Sequence, residues 1–168
     1  MNCPNCGASM RLGEADDRFS CDYCGTIHFP APNADGVRIL EENAGPPCPV
    51  CGAPLADSAI EGQRLRSCAR CRGVLIPMDR FGVLVAGLRA GRAAGELPAR
   101  PLNPADLKRR IHCPGCGEPM QTHAYAGPGN VVIDNCPQCR LNWLDHAELQ
   151  RIAGAPDRSS NPEAWLAV

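Results

Sequence analysis

Hydrophobic positions along this chain come in short runs, each bounded by cysteine, glycine or proline. Met10-Arg11-Leu12 and Arg18-Phe19-Ser20, separated by a polar turn over 13–17, predict a β-hairpin, and Pro30-Ala31-Pro32-Asn33 ends that unit. Residues 31–46 read as a linker carrying a short strand over Val37 to Leu40. The alternation Arg64-Leu65-Arg66, after a Glu61-Gly62 turn, predicts a second hairpin with its arginines on one face. The period then changes: Phe81, Leu84, Val85 and Leu88 recur at i, i+3, i+4 and i+7, one helical stripe. Gly82, Gly87 and Gly91 weaken that helix by about 1 kcal/mol each, so it should form only when packed. A third hairpin is predicted around Gly127-Pro128-Gly129-Asn130, leading into the β-branched run Val131-Val132-Ile133. Asp145 and Glu148 have the spacing of a capping box for a short helix through Leu149 and Ile152. Ser159 to Val168 reads as a loose tail with Trp165 as a docking residue.

Elements this short bury little. Aromatic residues make up 4% of the 168 positions, Gly and Pro number 17 each, and the 44% hydrophobic fraction includes alanine and 12 cysteines. Covalent or metal staples must therefore replace a large core. No apolar run approaches the roughly 18 residues that span a bilayer, and Met1 is followed by Cys3-Pro4 rather than a charged-then-apolar leader, which predicts a cytoplasmic protein. In that reducing compartment cysteines serve metal chemistry more than disulfides.

Every cysteine belongs to a C-x-x-C pair: Cys3/Cys6, Cys21/Cys24, Cys48/Cys51, Cys68/Cys71, Cys113/Cys116 and Cys136/Cys139. Taken in order they make three four-thiolate sites, with 14, 16 and 19 residues between the paired motifs, room for a hairpin that returns the second pair to the first. A crossed arrangement, with the first and third pairs sharing a metal, uses the same ligands but closes a longer loop. Zinc suits four soft ligands in a closed tetrahedron, and three ions with four Cys each are expected. Gly7, Gly25, Gly52 and Gly117 follow the second Cys of four pairs, where a thiolate knuckle calls for positive φ. Thiol-redox chemistry would need one low-pKa thiolate inside a βαβ pattern, which the hairpin pattern does not supply. A closed four-Cys site leaves no position for a reactive water, so no enzymatic activity and no small-molecule substrate are expected. His28, His112, His123 and His146 lie near the pairs as surface or outer residues, because each quartet is complete without them.

With the pairs and hairpins placed, residues 113–149 resemble the bacterial transcription factor IIB type zinc finger family, a zinc ribbon. The matching text is Cys113-Pro114-Gly115-Cys116-Gly117-Glu118-Pro119-Met120, then Val132-Ile133-Asp134-Asn135-Cys136-Pro137-Gln138-Cys139, then Trp143-Leu144-Asp145 and Glu148-Leu149. The resemblance implies zinc on Cys113, Cys116, Cys136 and Cys139, and a link to transcription. Residues 48–81 are similar to a diverged copy, in which Leu75-Ile76-Pro77 stands for Trp-Leu-Asp and Arg80-Phe81 for Glu-Leu. Residues 3–24 resemble a generic zinc ribbon.

The formal charge of −1 is unevenly spread. Residues 1–61 carry three basic and nine acidic side chains (−6), residues 62–110 eleven and three (+8), and residues 111–168 three and six (−3). Arg64, Arg66, Arg70 and Arg72 are the candidate contacts to nucleic acid or to an acidic partner, since arginine offers planar paired donors to phosphate and carboxylate. Against nucleic acid, 16 of the 17 basic residues are Arg throughout, a compositional bias. Three zinc-loaded quartets also shift the formal charge from −1 to about −7. Arg72 and Arg140 follow closing cysteines and either shield the thiolates or are solvated. Phe81, Leu84, Val85, Leu88 and Trp143 are candidates for a partner surface or for packing.

The fold expected is a set of small metal-bound β modules, three tandem zinc ribbons strung along the chain with short helices after the second and third. The units are 1–30 (ribbon one), 31–46 (linker), 47–77 (ribbon two), 78–106 (helix and basic linker), 107–153 (ribbon three with its C-terminal helix) and 154–168 (tail). The function expected is a non-catalytic, zinc-binding interaction or regulatory protein associated with transcription, contacting a protein, a nucleic acid or both, with no membrane. A purely protein-binding adaptor is the alternative, and a thiol-redox or zinc-handling protein the third choice.

Overall fold

The structure, a computed structural model, describes residues 1–13, 17–43, 45–92, 97 and 100–156. The tail from Ser159, with Trp165, and the middle of the first hairpin turn lie outside the described residues. Ribbon one is a three-stranded antiparallel sheet in the order β1 (Arg11–Leu12), β2 (Phe19–Ser20), β3 (Ile27–His28). The remaining strands are β4 (Arg38–Glu41), β5 (Ala56–Ile60), β6 (Gln63–Ser67), β7 (Val74–Pro77), β8 (Gln121–Ala124), β9 (Val132–Cys136) and β10 (Leu141–Leu144). They form one antiparallel sheet in the order β4-β5-β6-β7-β10-β9-β8.

Ribbons two and three are therefore not separate beads. Their third strands, β7 and β10, pair edge to edge, with Leu75 opposite Trp143 and Val74 opposite Leu144. The cause is the run Val74-Leu75-Ile76: alternate residues of a strand face opposite sides of the sheet, and this strand is apolar on both. Val74 and Ile76 join Leu84, Val85, Leu144 and Ile152 on the side covered by the helices. Leu75 joins Leu55, Met120 and Trp143 on the other, among the buried cysteines Cys48, Cys68, Cys113 and Cys136. The segment 31–46, expected as a linker carrying a short strand over Val37 to Leu40, supplies that strand as β4 and is no linker there, since β4 extends the sheet beside β5. Leu40 and Ala59 also close the small core of ribbon one, and Arg64 donates to the carbonyl of Gly13 at 3.3 Å, so ribbon one rests against β4 and β5.

Helix α1 (Met78–Ala90) follows β7, and α2 (Glu148–Gly154) follows β10; the two pack on each other. The stripe at helical spacing is the buried face of α1, with Phe81, Leu84 and Val85 in the core and Leu88 half-buried against it. That stripe is core, and a partner surface built on it is not available. Only half of the expected capping box forms. Glu148 Oε2 accepts the Asp145 N–H at 2.7 Å, whereas the Asp145 carboxylate takes the Trp143 indole N–H at 3.0 Å and the Arg109 guanidinium.

Burial, the largest cause, pushes Glu148 up to about 7 from an ordinary value of 4.5, although the Asp145 N–H works the other way. A carboxyl that holds its proton more tightly when folded stabilises the fold fully below its unfolded value, and this contribution is lost as pH rises through the folded value. At saturating zinc, the denaturant midpoint should therefore fall between about pH 5 and 7 by an amount that Glu148→Gln removes. An unchanged slope in that variant would assign the pH dependence elsewhere.

Candidate metal centres

Each quartet gathers its four sulfurs within 4.8 Å of one another, in sequential pairing: Cys3, Cys6, Cys21, Cys24; Cys48, Cys51, Cys68, Cys71; Cys113, Cys116, Cys136, Cys139. The crossed pairing does not occur. Across the pairs, sulfur separations are 3.6 Å (Cys3–Cys24), 3.5 Å (Cys6–Cys21 and Cys48–Cys71), 3.4 Å (Cys51–Cys68) and 3.7 Å (Cys116–Cys136). A tetrahedron with Zn–S near 2.3 Å has edges of about 3.8 Å, whereas a disulfide would bring sulfurs to about 2.05 Å. The residues present fit zinc, and each ribbon has four cysteines placed to bind one ion.

The knuckles are built from the backbone outward. In all six pairs the residue after the second Cys has positive φ, between 54° and 78°: Gly7, Gly25, Gly52 and Gly117, and also Arg72 and Arg140. This turn aims N–H groups at sulfur, as in Gly115 N to Cys113 Sγ and Cys139 N to Cys136 Sγ, both 3.4 Å. The first Cys of each pair is buried and the second is more exposed.

Without a cation these thiols cannot all ionise. In ribbon one the Thr26 hydroxyl and N–H pull Cys24 down to about 6, while Cys6, despite the Ala8 N–H, is pushed up to about 12 beside it. In ribbon two the Ala53 N–H draws Cys51 down to about 7, and burial drives Cys48 and Cys71 up. In ribbon three the neighbouring Cys116 pushes Cys139 up to about 12. Thiols held low at the expense of their neighbours, Cys24 against Cys6 and Cys51 against Cys48 and Cys71, are the signature of a cluster that needs a divalent ion to hold four negative sulfurs together.

Around the metal sites most of the candidate arginines are already engaged. Arg64 and Arg66 pair with Asp57 at 3.5 and 3.1 Å. Arg72 grips both oxygens of Asp35, which holds that carboxyl below the usual range, and His146 lies 3.4 Å from the same carboxylate. Arg70 is exposed, with no ion pair among the described residues, and so is Arg140. Trp143 is fully buried under the second and third sites. His28, His112 and His123 lie on or near the surface, and no histidine joins a quartet.

Sequence reading missed a charged group inside ribbon three. Asp134, fully buried, accepts from the Thr122 hydroxyl at 2.5 Å and pairs with Arg109, which also reaches Asp145. Counted by composition, Arg109 belonged to the basic stretch; by position it neutralises a buried carboxylate. Arg109→Met should cost about 2–4 kcal/mol in chemical denaturation, the lower end reflecting partial exposure of the guanidinium, because Asp134 is left buried without its cation. A loss under about 0.5 kcal/mol would show that Thr122 and water suffice.

Comparison with known proteins agrees with this geometry. Residues 112–155 match the transcription factor zinc-finger family, the TFIIB-type zinc ribbon. A stretch of 27 residues is 56% identical to the small ribosomal subunit protein eS31 of Methanocorpusculum labreanum, covering 16% of this chain and 45% of that protein, less than half its length. No solved structure matches the chain.

Proposed function

With residues 112–155 a TFIIB-type zinc ribbon, we propose that this protein is a non-catalytic docking module of a transcription-associated assembly, in which zinc is structural and the joined ribbons present the contact surface. The family match to ribbon three carries the reading. Four protein ligands per zinc leave no open coordination position, which supports a structural rather than a catalytic metal. A reducing compartment, the cytoplasm, suits twelve cysteines that serve metal rather than disulfides.

Because Arg64, Arg66 and Arg72 already face carboxylates, the surface favours a protein partner over a nucleic-acid backbone. The test is sedimentation of the zinc-loaded chain with a transcribing RNA polymerase complex, beside anisotropy titrations against bare DNA and RNA over a salt series. Zinc-dependent co-sedimentation with weak binding to bare nucleic acid supports the reading. Absence of co-sedimentation overturns it, and salt-steep binding to bare nucleic acid would move the contact from protein to phosphate. The likeness to eS31 favours one second reading, association with the small ribosomal subunit, which the same experiment checks with that subunit in place of polymerase.

A further inference from the structure

Ribbons two and three are copies in register. The pairs Ala56↔Ser67 and Asp57↔Arg66 of β5 and β6 recur as Gln121↔Asn135 and Thr122↔Asp134 of β8 and β9. Arg66↔Leu75 likewise recurs as Asp134↔Trp143, and where the copies meet, Leu75 faces Trp143. The arrangement is an internal two-fold, so each feature on one side has a counterpart position on the other.

One pair of counterparts differs. On the ribbon-two side the outer edge of β5 is taken by β4 (Arg38↔Ala59, Ile39↔Ser58), and Asp35, just before β4, clamps Arg72 behind the closing cysteine. On the ribbon-three side the corresponding edge, β8, has no strand partner among the described residues, and the counterpart of Arg72 is Arg140, exposed and likewise without an ion pair among them. Counting back from Cys113 as from Cys48, the segment that would play β4 is Asn103 to Asp106. There Pro104 stands where β4 has Ile39 and has no N–H to donate, and Asn103 folds the chain into a 3₁₀ turn by accepting the Ala105 N–H at 3.1 Å and donating to Asp106 at 2.9 Å. That turn (Asp106–Lys108) lies beside β8 yet buries none of its own residues. The position of Asp35 is held by Arg100, which inverts the charge.

We propose that the β8 edge together with Arg140 is a docking site for an extended acidic segment of a partner protein, which adds antiparallel to β8 as β4 adds to β5 and sets a carboxylate on Arg140. An unpaired edge supplies backbone donors and acceptors, and alternate side chains supply selectivity. The occupant's chemistry is read from the filled copy of the site and from its charge complement. Lys108 and Arg110, both exposed beside the edge, add to the attraction for acid. The proposal rests on the docking-module reading and names its partner class.

The probe is a synthetic peptide with the chain's own residues 31–43, which carries Asp35 and β4, titrated into 15N-labelled, zinc-loaded full-length protein. Amide shifts and slowed hydrogen exchange at 121–124 and Arg140 are expected. Arg140→Gly keeps a residue suited to positive φ and so preserves the knuckle, yet it should weaken the peptide about tenfold. A peptide with Asp35→Arg should bind Arg140→Glu better than it binds the native chain. Shifts confined to β4–β6, or none at millimolar peptide, overturn the proposal. So does an oligonucleotide giving the same Arg140-dependent shifts, or self-association of the chain that Arg140→Gly abolishes. Peptide binding without co-sedimentation would leave the site standing and sink only the transcription assignment.

Discussion

Stripping zinc from this protein is expected to unfold ribbons two and three together, at one chelator midpoint, with release of two ions in a single step. A structural zinc site contributes an apparent free energy of about 10–16 kcal/mol at neutral pH, more than a ribbon-sized core supplies by itself. Cys48, Cys68, Cys113 and Cys136 lie in one cluster with Trp143, and β7 pairs with β10, so loss of either metal removes packing from the other ribbon. Cys136→Ser should thus cost one zinc by native mass spectrometry and also lower amide protection across β5 to β7. Cys6→Ser, in ribbon one, should loosen the large sheet only at β4 and β5, where Leu40 and Ala59 close the core of that ribbon, and leave β6 and β7 nearly unchanged, because ribbon one has its own sheet. Full protection of β5 to β7 in Cys136→Ser would mean that the shared sheet transmits little. A circular dichroism spectrum unmoved by complete chelation would remove zinc from the account of stability altogether.

Gly73→Ala is expected to be the most damaging single-methyl change in the joined ribbons. A Cβ at this position would lie 2.3 Å from Cζ2 and 2.8 Å from Cη2 of Trp143, whose indole is fully buried and held by its N–H to Asp145. The ring cannot retreat without leaving the metal-site face, so a cost of about 3 kcal/mol, at the upper end for overpacking, is expected in chemical denaturation. Trp143→Ala should cost about 3–5 kcal/mol through the cavity it leaves. Because the two changes act on one contact they should not add. Trp143→Leu should recover much of the loss in Gly73→Ala, and strictly additive losses would show that the two residues do not meet. Gly73 carries no motif signal: the position reads as an ordinary loop glycine until the strand carrying Trp143 is laid across it.

Much of the metal chemistry was legible because its determinants are local. A C-x-x-C knuckle is made within five residues, its turn is announced by Gly7, Gly25, Gly52 and Gly117, and hairpins of 14 to 19 residues have few ways to return the second pair except onto the first. Arg72 and Arg140 show the limit even here, since they take the same positive φ without the glycine that would have marked it. The helical stripe on α1 was equally local, although whether Phe81 and Leu84 faced a partner or a core was not.

By itself, then, the sequence determined three zinc sites, their ligands, the three ribbons and the stripe of the first helix. Only the tertiary structure decided that ribbons two and three share a sheet, that residues 38–41 form its outer strand, and that Arg109 and Arg72 face carboxylates rather than solvent. The reason is physical. Cysteine spacing encodes its own short-range closure, whereas a strand edge offers the same row of N–H and C=O groups to any other strand, so nothing in Val74 to Pro77 names β10 as its neighbour. Charge behaves likewise: composition counts arginines, and only the fold brings Asp35 and Asp134 against them.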